Sequence, residues 1–202
     1  MIGYQFILAS SSPQRLMLLK TIGLVPDQII SPNINEDRLK KEKPNDYVTR
    51  LAKEKAVEVS NNIKDNAFIL AADTIVGTNA RLFDKAVTTE DVEKNLKFFS
   101  GRRIYIKTSI SVIKLKDGII VDQSSKLSVS KVKFKRITDQ EIKLYIDNGQ
   151  GIGSAGGLNI ENLGQILIKN IEGSYSGIMG LPLYETVNLL KGLGYEYFKS
   201  AC

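Results

Sequence analysis

The sequence has 202 residues, of which 43% are hydrophobic and 25% charged, as is typical of a globular protein. It contains one cysteine, Cys202, and no histidine. This composition excludes disulfides, thiolate metal sites and every mechanism that needs an imidazole. Hydrolysis would have to use carboxylates, lysine, tyrosine or a hard metal ion held by carboxylates. The net charge of +6 suits an anionic substrate, although it also fits a lysine-rich genome bias.

Nothing in the sequence indicates a membrane segment or a division into separate domains. No apolar run approaches the roughly 20 residues that span a bilayer. Residues 1–5 lack the charged region and cleavage site of a signal peptide. We therefore expect a cytoplasmic protein with no membrane partner, and we do not expect nucleic acid as a partner. Because no linker, repeat or low-complexity tract is present, we expect residues 1–202 to form one domain, with two lobes as an option at this length.

The first predicted elements are a buried strand at 6–9, a polar loop and a helix. Ser12 is a good N-cap, Pro13 suits the first helical position, and Gly23 suits the position just after the helix. The start of such a helix presents free N–H groups and the positive end of the helix dipole, here beside three serine hydroxyls. This pattern suits a phosphate, but an ordinary capped helix has the same features. A short second strand is predicted within 25–31.

The next predicted helix, 44–62, carries a lysine on its apolar face. Its apolar residues recur with a period of 3.6. Lys55 falls inside that stripe, four residues after Leu51 and seven after Val48. A lysine in this position either extends along the apolar surface to water or meets a buried anion, and the pattern leaves both interpretations open.

An aspartate, Asp73, directly follows the apolar run 68–72, which predicts a strand covered on both faces. In α/β sheets, ligands bind beyond the carboxyl ends of the parallel strands. Asp73 is therefore well placed to bind a metal or to activate water. An aspartate that merely caps a turn would produce the same pattern.

The second half of the chain predicts a hairpin between two helices, then a glycine-rich loop, a strand and a last helix. The turn of the hairpin is an Asp-Gly pair. The loop 149–164 contains six glycines but no standard phosphate-loop spacing. The expected elements are a helix at 90–99, extended stretches at 104–115 and 119–135, a helix from a capping box at 138–141 to Gly149, a strand at 166–171 and a helix at 182–190.

Six short motifs, in register along nearly the whole chain, resemble the Maf family of nucleoside triphosphate pyrophosphatases, also called septum-formation-inhibitor-like proteins. No single motif is specific, but six in order are a strong resemblance. They lie at residues 8–15 (LASSSPQR), 51–56 (LAKEKA), 72–74 (ADT), 100–102 (SGR), 172–176 (EGSYS) and 180–183 (GLPL).

The resemblance implies a mixed α/β fold, with an elongated, bent mixed sheet flanked by helices and two lobes around a cleft. It also implies hydrolysis of a nucleoside triphosphate to the monophosphate and pyrophosphate, with Mg²⁺ or Mn²⁺ as the divalent cation. Asp73 would be the general base and, together with Glu36, a metal ligand. The residues that would hold the triphosphate are Ser10, Arg15, Lys55 and Lys85. Family members are often dimers, so the resemblance leaves a homodimer as one alternative for this chain.

Three residues, Gln14, Thr74 and Glu161, match family positions that contact the base. A glutamine at position 161 would donate and accept, which suits thymine or uracil. A carboxylate only accepts, which suits the paired N–H donors of guanine. Glu161 and the absence of arginine at position 14 resemble the subfamily that hydrolyses 7-methyl-GTP, whereas Thr74 resembles the dTTP and UTP subfamily. The resulting preference for a guanine-type base is slight.

Two departures from the family pattern concern the chemistry itself. Asn35 stands where an aspartate is usual, so one candidate metal ligand is missing, and Ser154 replaces a lysine. Together with the net charge of +6, they keep open a nucleotide- or nucleic-acid-binding regulator of cell division without turnover. A third alternative is an enzyme of the same type that releases phosphate instead of pyrophosphate. A pure binder would not need Asp73 next to phosphates, which it would repel. We therefore favour the pyrophosphatase.

Overall fold

The computed structural model describes residues 3–78 and 80–196. This part of the chain forms one sheet of seven strands, in the order β2-β1-β3-β5-β6-β7 with β4 paired to β3. The elements in chain order are β1 Gln5–Ala9, α1 Pro13–Thr21, β2 Gln28–Ile29, α2 Pro44–Ser60, β3 Ala67–Gly77, β4 Leu82–Phe83, α3 Thr89–Phe99, β5 Arg103–Lys116, β6 Ile119–Phe134, α4 Asp139–Asp147, a 3-10 helix Asn162–Leu167, β7 Ile168–Glu172, α5 Tyr175–Ile178 and α6 Leu183–Gly192.

The predicted mixed α/β fold, with helices flanking a mixed sheet, is confirmed. The described chain divides into two compact units. Unit 1 comprises residues 3–73, 108–128 and 180–196, and unit 2 comprises 74–78, 80–107 and 129–179. None of the helices in the described ranges has the length and apolar character needed to cross a membrane.

The core of unit 1 is a parallel sheet with side chains packed on both of its faces. β1 pairs in parallel with β2 and β3. On one face, residues of β1 and β3 pack against α2; this cluster includes Ile7, Ala9, Ala56, Val59, Ile69 and Ala71. On the other face, the ring of Tyr195 lies 5.4 Å from that of Phe6 and 5.3 Å from that of Phe68. Burial on both faces explains why the two strands are almost continuously apolar.

Unit 2 has a core of its own that is rich in aromatic rings. Phe99 of α3 lies 5.0 Å from Phe83 and 5.3 Å from Phe134, measured between ring centroids. Tyr145 of α4 is 1% exposed and belongs to the same cluster. Each of these rings buries a large apolar area, so the three elements that carry the phenylalanines are fixed by one cluster.

The helix ends lie close to the predicted positions, but the predicted side-chain capping hydrogen bonds are not all formed. Ser12 precedes α1 as predicted, yet its side chain makes no capping bond; its hydroxyl donates to Gln14 Oε1 at 3.4 Å. After α1, Gly23 has φ +75°, and its N–H donates to the Lys20 carbonyl while Leu24 donates to Leu19, which is a Schellman motif.

The predicted capping box of α4 is present at Thr138 and Glu141. A second capping box, Thr88 with Asp91, opens α3. Each box satisfies two backbone donors at a helix start, so both helices begin at a defined residue.

Several predicted boundaries are wrong by a few residues. The second strand shrinks to Gln28–Ile29. β7 begins at Ile168, two residues later than expected, because Asn162–Leu167 forms a 3-10 helix. The short helix α5 was not predicted, and α6 continues through Gly192. In each case a short element is decided by tertiary packing, which a local pattern does not contain.

The hairpin turn between β5 and β6 contains a glycine whose backbone conformation can be tested by substitution. Gly118 has φ +73°, and a Cβ there would lie 3.1 Å from the Cα and the carbonyl oxygen of Lys64. We expect Gly118→Ala to lower the free energy of unfolding by about 1–2 kcal/mol, because the turn must strain or shift. Gly192 has open space around it, so Gly192→Ala should leave that free energy unchanged or raise it by up to about 1 kcal/mol. Urea unfolding of both variants measures these free energies. Equal changes in the two variants would contradict the expected strain at Gly118.

Candidate functional site

The parallel pairing of β1 with β3 brings two predicted site residues to the same end of the sheet. Ala9 pairs with Ala71, so Ser10 leaves β1 beside Ala72, and Asp73 lies one residue further along β3. β3 continues to Gly77, so Asp73 lies inside the strand rather than at its end. Ser10 and Asp73 are 4% and 7% exposed, and polar groups buried to this degree need partners.

Arg15, in the first turn of α1, supplies one of these partners. Its Nη1 donates to Ser10 Oγ at 3.1 Å, and its Nε donates to the Gly180 carbonyl at 2.9 Å. The backbone N–H of Ser12 also donates to Ser10 Oγ, at 3.2 Å. Burial lowers the pKa of Arg15, while the charges of Asp73 and Glu36 raise it. The guanidinium therefore lies within electrostatic reach of both carboxylates.

Lys55 of α2 joins those two carboxylates. Its Nζ lies 2.5 Å from Asp73 Oδ1 and 2.9 Å from Glu36 Oε1. Lys55 is 8% exposed, so of the two interpretations of this inward lysine the buried anion is the correct one. The two acids differ in environment, since the side chain of Asp73 is 10% exposed and that of Glu36 is 51% exposed. The pair with Asp73 is therefore the more strongly coupled of the two.

The loop that carries Glu36 is tied to α2 by two side chains. Tyr47 Oη donates to the Glu36 carbonyl at 2.8 Å, and Arg50 Nη2 donates to the Asp37 carbonyl at 3.0 Å. Arg50 also pairs with Glu42 at 2.7 Å. Tyr47 and Arg50 were not predicted as supports of the site. Their partners lie in an irregular loop, and no periodic pattern links them.

Asp73 and Glu36 fit a divalent metal as the protein's share of its ligands. Mg²⁺ is usually bound by one or two carboxylates, with water and phosphate oxygens completing the shell. Asn35 supplies no carboxylate, and its Oδ1 accepts from the Asp37 N–H at 2.8 Å, which shapes the turn. Within residues 3–78 and 80–196, no group of three or more acidic, histidine or cysteine side chains could hold a metal. Water or phosphate oxygens would therefore have to complete the shell of a metal held by Asp73 and Glu36.

Lys85, in unit 2, is held through its backbone by the glycine-rich loop. It forms an antiparallel bridge with Ala155. The Ala86 N–H donates to the Ser154 carbonyl at 3.1 Å, and the Gly153 N–H donates to the Ala86 carbonyl at 2.8 Å. The loop thus fixes the segment around Lys85, whose side chain is exposed. Ser154, which stands where the family usually has a lysine, contributes its backbone carbonyl to these contacts.

Glu161, also in unit 2, has a buried acceptor. No described residue donates a hydrogen bond to its buried Oε1. Burial raises the pKa of Glu161. The nearby Tyr145 hydroxyl accepts from the Asn159 N–H at 2.8 Å and donates to the Gly157 carbonyl at 3.2 Å. Burial, together with the charge of Glu161, raises the pKa of Tyr145 to about 12. The sequence predicted Tyr145 only as part of a helix.

The remaining predicted residues lie in different surroundings. Gln14 is exposed on α1 and accepts from Ser12 Oγ at 3.4 Å. Thr74 is partly buried and follows Asp73 in β3. Unit 1 thus joins five predicted residues, directly or through charge, namely Ser10, Arg15, Glu36, Lys55 and Asp73. Lys85, Thr74 and Glu161 belong to unit 2.

A buried lysine, a partly buried arginine and a helix start, all beside the point where the parallel pairing of β1 and β3 ends, are typical of α/β proteins that bind phosphate-bearing ligands. Residues 5–193 match the family model described as Maf-like protein, and the chain belongs to this family. A relative from Orientia tsutsugamushi (strain Boryong), named nucleoside triphosphate pyrophosphatase, is 44% identical over 96% of this chain and 94% of its own. A relative from Rickettsia felis, also named nucleoside triphosphate pyrophosphatase, is 43% identical over 95% of this chain and 94% of its own length.

Among solved structures, a HAM1 protein from Coxiella burnetii is similar to this chain with a TM-score of 0.51. The similarity covers 94% of this chain and 100% of that one at 15% identity. At this identity it supports the fold alone.

The ion pairs of Lys55 can be tested by unfolding. Lys55→Met should lower the free energy of unfolding by about 3–5 kcal/mol, because it leaves the buried carboxylate of Asp73 without its cation. Adding Asp73→Asn should recover much of that loss, whereas adding Glu36→Gln should recover at most about 1 kcal/mol, because Glu36 is screened by water. Urea unfolding of these variants gives two double-mutant cycles. Additive effects of Lys55 and Asp73 would contradict the buried pair.

Proposed function

We propose that this chain is a nucleoside triphosphate pyrophosphatase whose water-activating group is Asp73. The observation that carries the proposal is the contact of one buried ammonium, Lys55, with both Asp73 and Glu36. The activity matches the name of the relatives that align over nearly the whole chain. The contacts of Lys55 and Arg15 agree with it because they assemble cations and a candidate carboxylate base just beyond the last parallel pair of β1 and β3.

The charge of the cluster supports an anionic ligand that brings a metal with it. Lys55 and Arg15 carry two positive charges, and Asp73 and Glu36 carry two negative ones. A triphosphate adds several negative charges next to the two acids, so a divalent cation is needed to offset them. Glu36 and Asp73 would hold that cation, which when bound would polarise the phosphate oxygens.

The residues of unit 1 have different proposed roles at the reacting centre. Lys55 donates to Oδ1 of Asp73, and the carboxylate of Asp73 would accept the proton from the attacking water. The water oxygen bonds to the α-phosphorus, and the bond from that phosphorus to the bridging oxygen breaks. Pyrophosphate leaves with the electron pair. Arg15, Ser10 and the start of α1 bind phosphate oxygens and stabilise the developing charge.

The other assignments rest on the family resemblance. Lys85 is proposed to bind phosphate, and Gln14, Thr74 and Glu161 are proposed to contact the base. Among these four, Glu161 has the strongest physical support, because a buried acceptor without a donor is costly and a base could supply the donor.

Product analysis with Asp73→Asn tests the proposed base. With Mg²⁺ or Mn²⁺ and a panel of 7-methyl-GTP, GTP, CTP, UTP and dTTP, we expect the unaltered chain to yield monophosphate and pyrophosphate. Asp73→Asn should lower kcat by at least about 100-fold, because the proton acceptor is lost. The exposed Asp65→Asn is the matched control and should retain full activity.

The outcomes separate the alternatives. Asp73→Asn with the unaltered rate would remove Asp73 from the role of base. Tight nucleotide binding without turnover by the unaltered chain would favour the non-catalytic regulator of cell division. Release of phosphate in place of pyrophosphate would favour the enzyme with a different reaction position.

For the base, we propose a guanine-type substrate such as 7-methyl-GTP over dTTP and UTP. A carboxylate at position 161 offers two acceptors to the paired N–H donors of a guanine edge. Glu161→Gln should shift the ratio of kcat/KM values toward uracil-type substrates by about tenfold or more, because an amide also donates. Glu172→Gln, an exposed change in the same unit, should leave the ratio unchanged. An unaltered ratio in Glu161→Gln would remove Glu161 from the residues that select the base.

A further inference from the structure

The hydroxyl of Tyr145 in α4 is a centre of hydrogen bonding for the glycine-rich loop. It accepts from the Asn159 N–H at 2.8 Å. It also lies 3.2 Å from the Gly157 carbonyl oxygen and 3.5 Å from that of Asn159, either of which can accept its proton. Tyr145 is 1% exposed, so little water is available to replace these bonds. Loss of the hydroxyl would therefore leave buried backbone groups without partners.

The bonds of Tyr145 fix the backbone that leads to Glu161. Asn159 is two residues before Glu161, and the intervening Ile160 is 2% exposed in the core of unit 2. On the far side, the Gly164 N–H donates to the Glu161 carbonyl at 3.1 Å. A Cβ on Gly164 would lie 1.7 Å from the Asn159 carbonyl oxygen, so only glycine permits this close approach. The backbone around Glu161 is therefore closed on itself and held to α4 by the Tyr145 hydroxyl.

The side chain of Glu161 depends on this backbone for its position. Its Oε1 is buried and accepts no hydrogen bond within the described chain, so no donor there directs that oxygen. Burial and the charge of Glu161 both raise the pKa of Tyr145, so the carboxylate lies within electrostatic reach of the tyrosine. A carboxylate that takes its donors from a ligand discriminates well only when its oxygens are held in place beforehand. A displacement of about 1 Å would weaken a contact with two paired donors.

We infer that Tyr145 is a positioning residue for base selection, because its hydroxyl fixes the backbone that directs the Glu161 carboxylate. Its role rests on the proposed contact of Glu161 with the base, and Tyr145 itself need not touch the ligand. All the contacts involved lie within unit 2. The alternative is a tyrosine that only fills the core, since its ring belongs to the aromatic cluster of that unit. In that case its hydroxyl would have no influence on the choice of substrate.

Tyr145→Phe separates these two roles because it removes the hydroxyl and keeps the ring in the core. We expect the ratio of kcat/KM for the preferred guanine-type substrate to that for UTP to fall by at least about fivefold, since a displaced carboxylate loses its paired contact. The loss should appear in KM, and kcat should stay within about threefold, since Asp73 and Lys55 belong to unit 1. Tyr184→Phe, the same change at a residue that is 78% exposed, should leave the ratio unaltered.

A double variant tests whether Tyr145 acts through Glu161. Tyr145→Phe/Glu161→Gln should have the same ratio as Glu161→Gln alone to within about twofold, because the carboxylate that the hydroxyl positions is already replaced. Independent, multiplicative effects of the two changes would overturn the inference. An unaltered ratio in Tyr145→Phe, beside an altered one in Glu161→Gln, would also overturn it and would leave the proposed function standing. An unaltered ratio in both single variants would overturn the base contact of Glu161 and the role of Tyr145 with it.

Hydrogen exchange tests the loop contact without any substrate. In the unaltered chain the Asn159 amide donates to the buried Tyr145 hydroxyl, so this amide should exchange slowly. In Tyr145→Phe we expect it to exchange at least about tenfold faster, measured by NMR on the full chain. The Leu24 amide, which bonds to Leu19 in unit 1, is the control and should keep its rate. Equal exchange of the Asn159 amide in the two chains would overturn the role of the hydroxyl.

Discussion

The contact of the buried Lys55 ammonium with Asp73 and Glu36 is the interaction on which the proposed site depends. Two carboxylates this close would repel each other, and a triphosphate would repel both. One cation that touches both acids removes this conflict before any ligand arrives. The three side chains come from α2, β3 and the loop before α2, so the site requires all three segments to be folded together. Preorganised charge of this kind is the main means by which enzymes stabilise a transition state.

The fold supports this cluster with contacts that are individually ordinary. Packing on both faces of the parallel strands leaves the strand ends as the place where buried polar groups meet. Arg15 connects the start of α1 to the Gly180 carbonyl, so α1 and the segment before α6 are held together. Tyr47 and Arg50 hold the loop that carries Glu36. Changes at these supporting residues would act through position rather than through chemistry.

The sequence predicted those parts of the molecule that are encoded locally. The period of α2 placed Lys55 on the inward face, and the capping box at Thr138 fixed the start of α4. The pattern could not decide what Lys55 meets, because Asp73 and Glu36 are 18 and 19 residues away along the chain. The roles of Tyr47 and Tyr145 were missed for the same reason, since each depends on a loop without periodicity. The 3-10 helix Asn162–Leu167 was missed because glycine-rich segments carry weak propensities.

In the proposed reaction, the acids held by Lys55 direct water to the α-phosphorus. Hydrolysis of the preferred triphosphate in water enriched with oxygen-18, followed by mass spectrometry of both products, tests it directly. One labelled oxygen is expected in the nucleoside monophosphate and none in pyrophosphate. Label in pyrophosphate, or in free phosphate, would mean attack at the β- or γ-phosphorus and would contradict attack at the α-phosphorus.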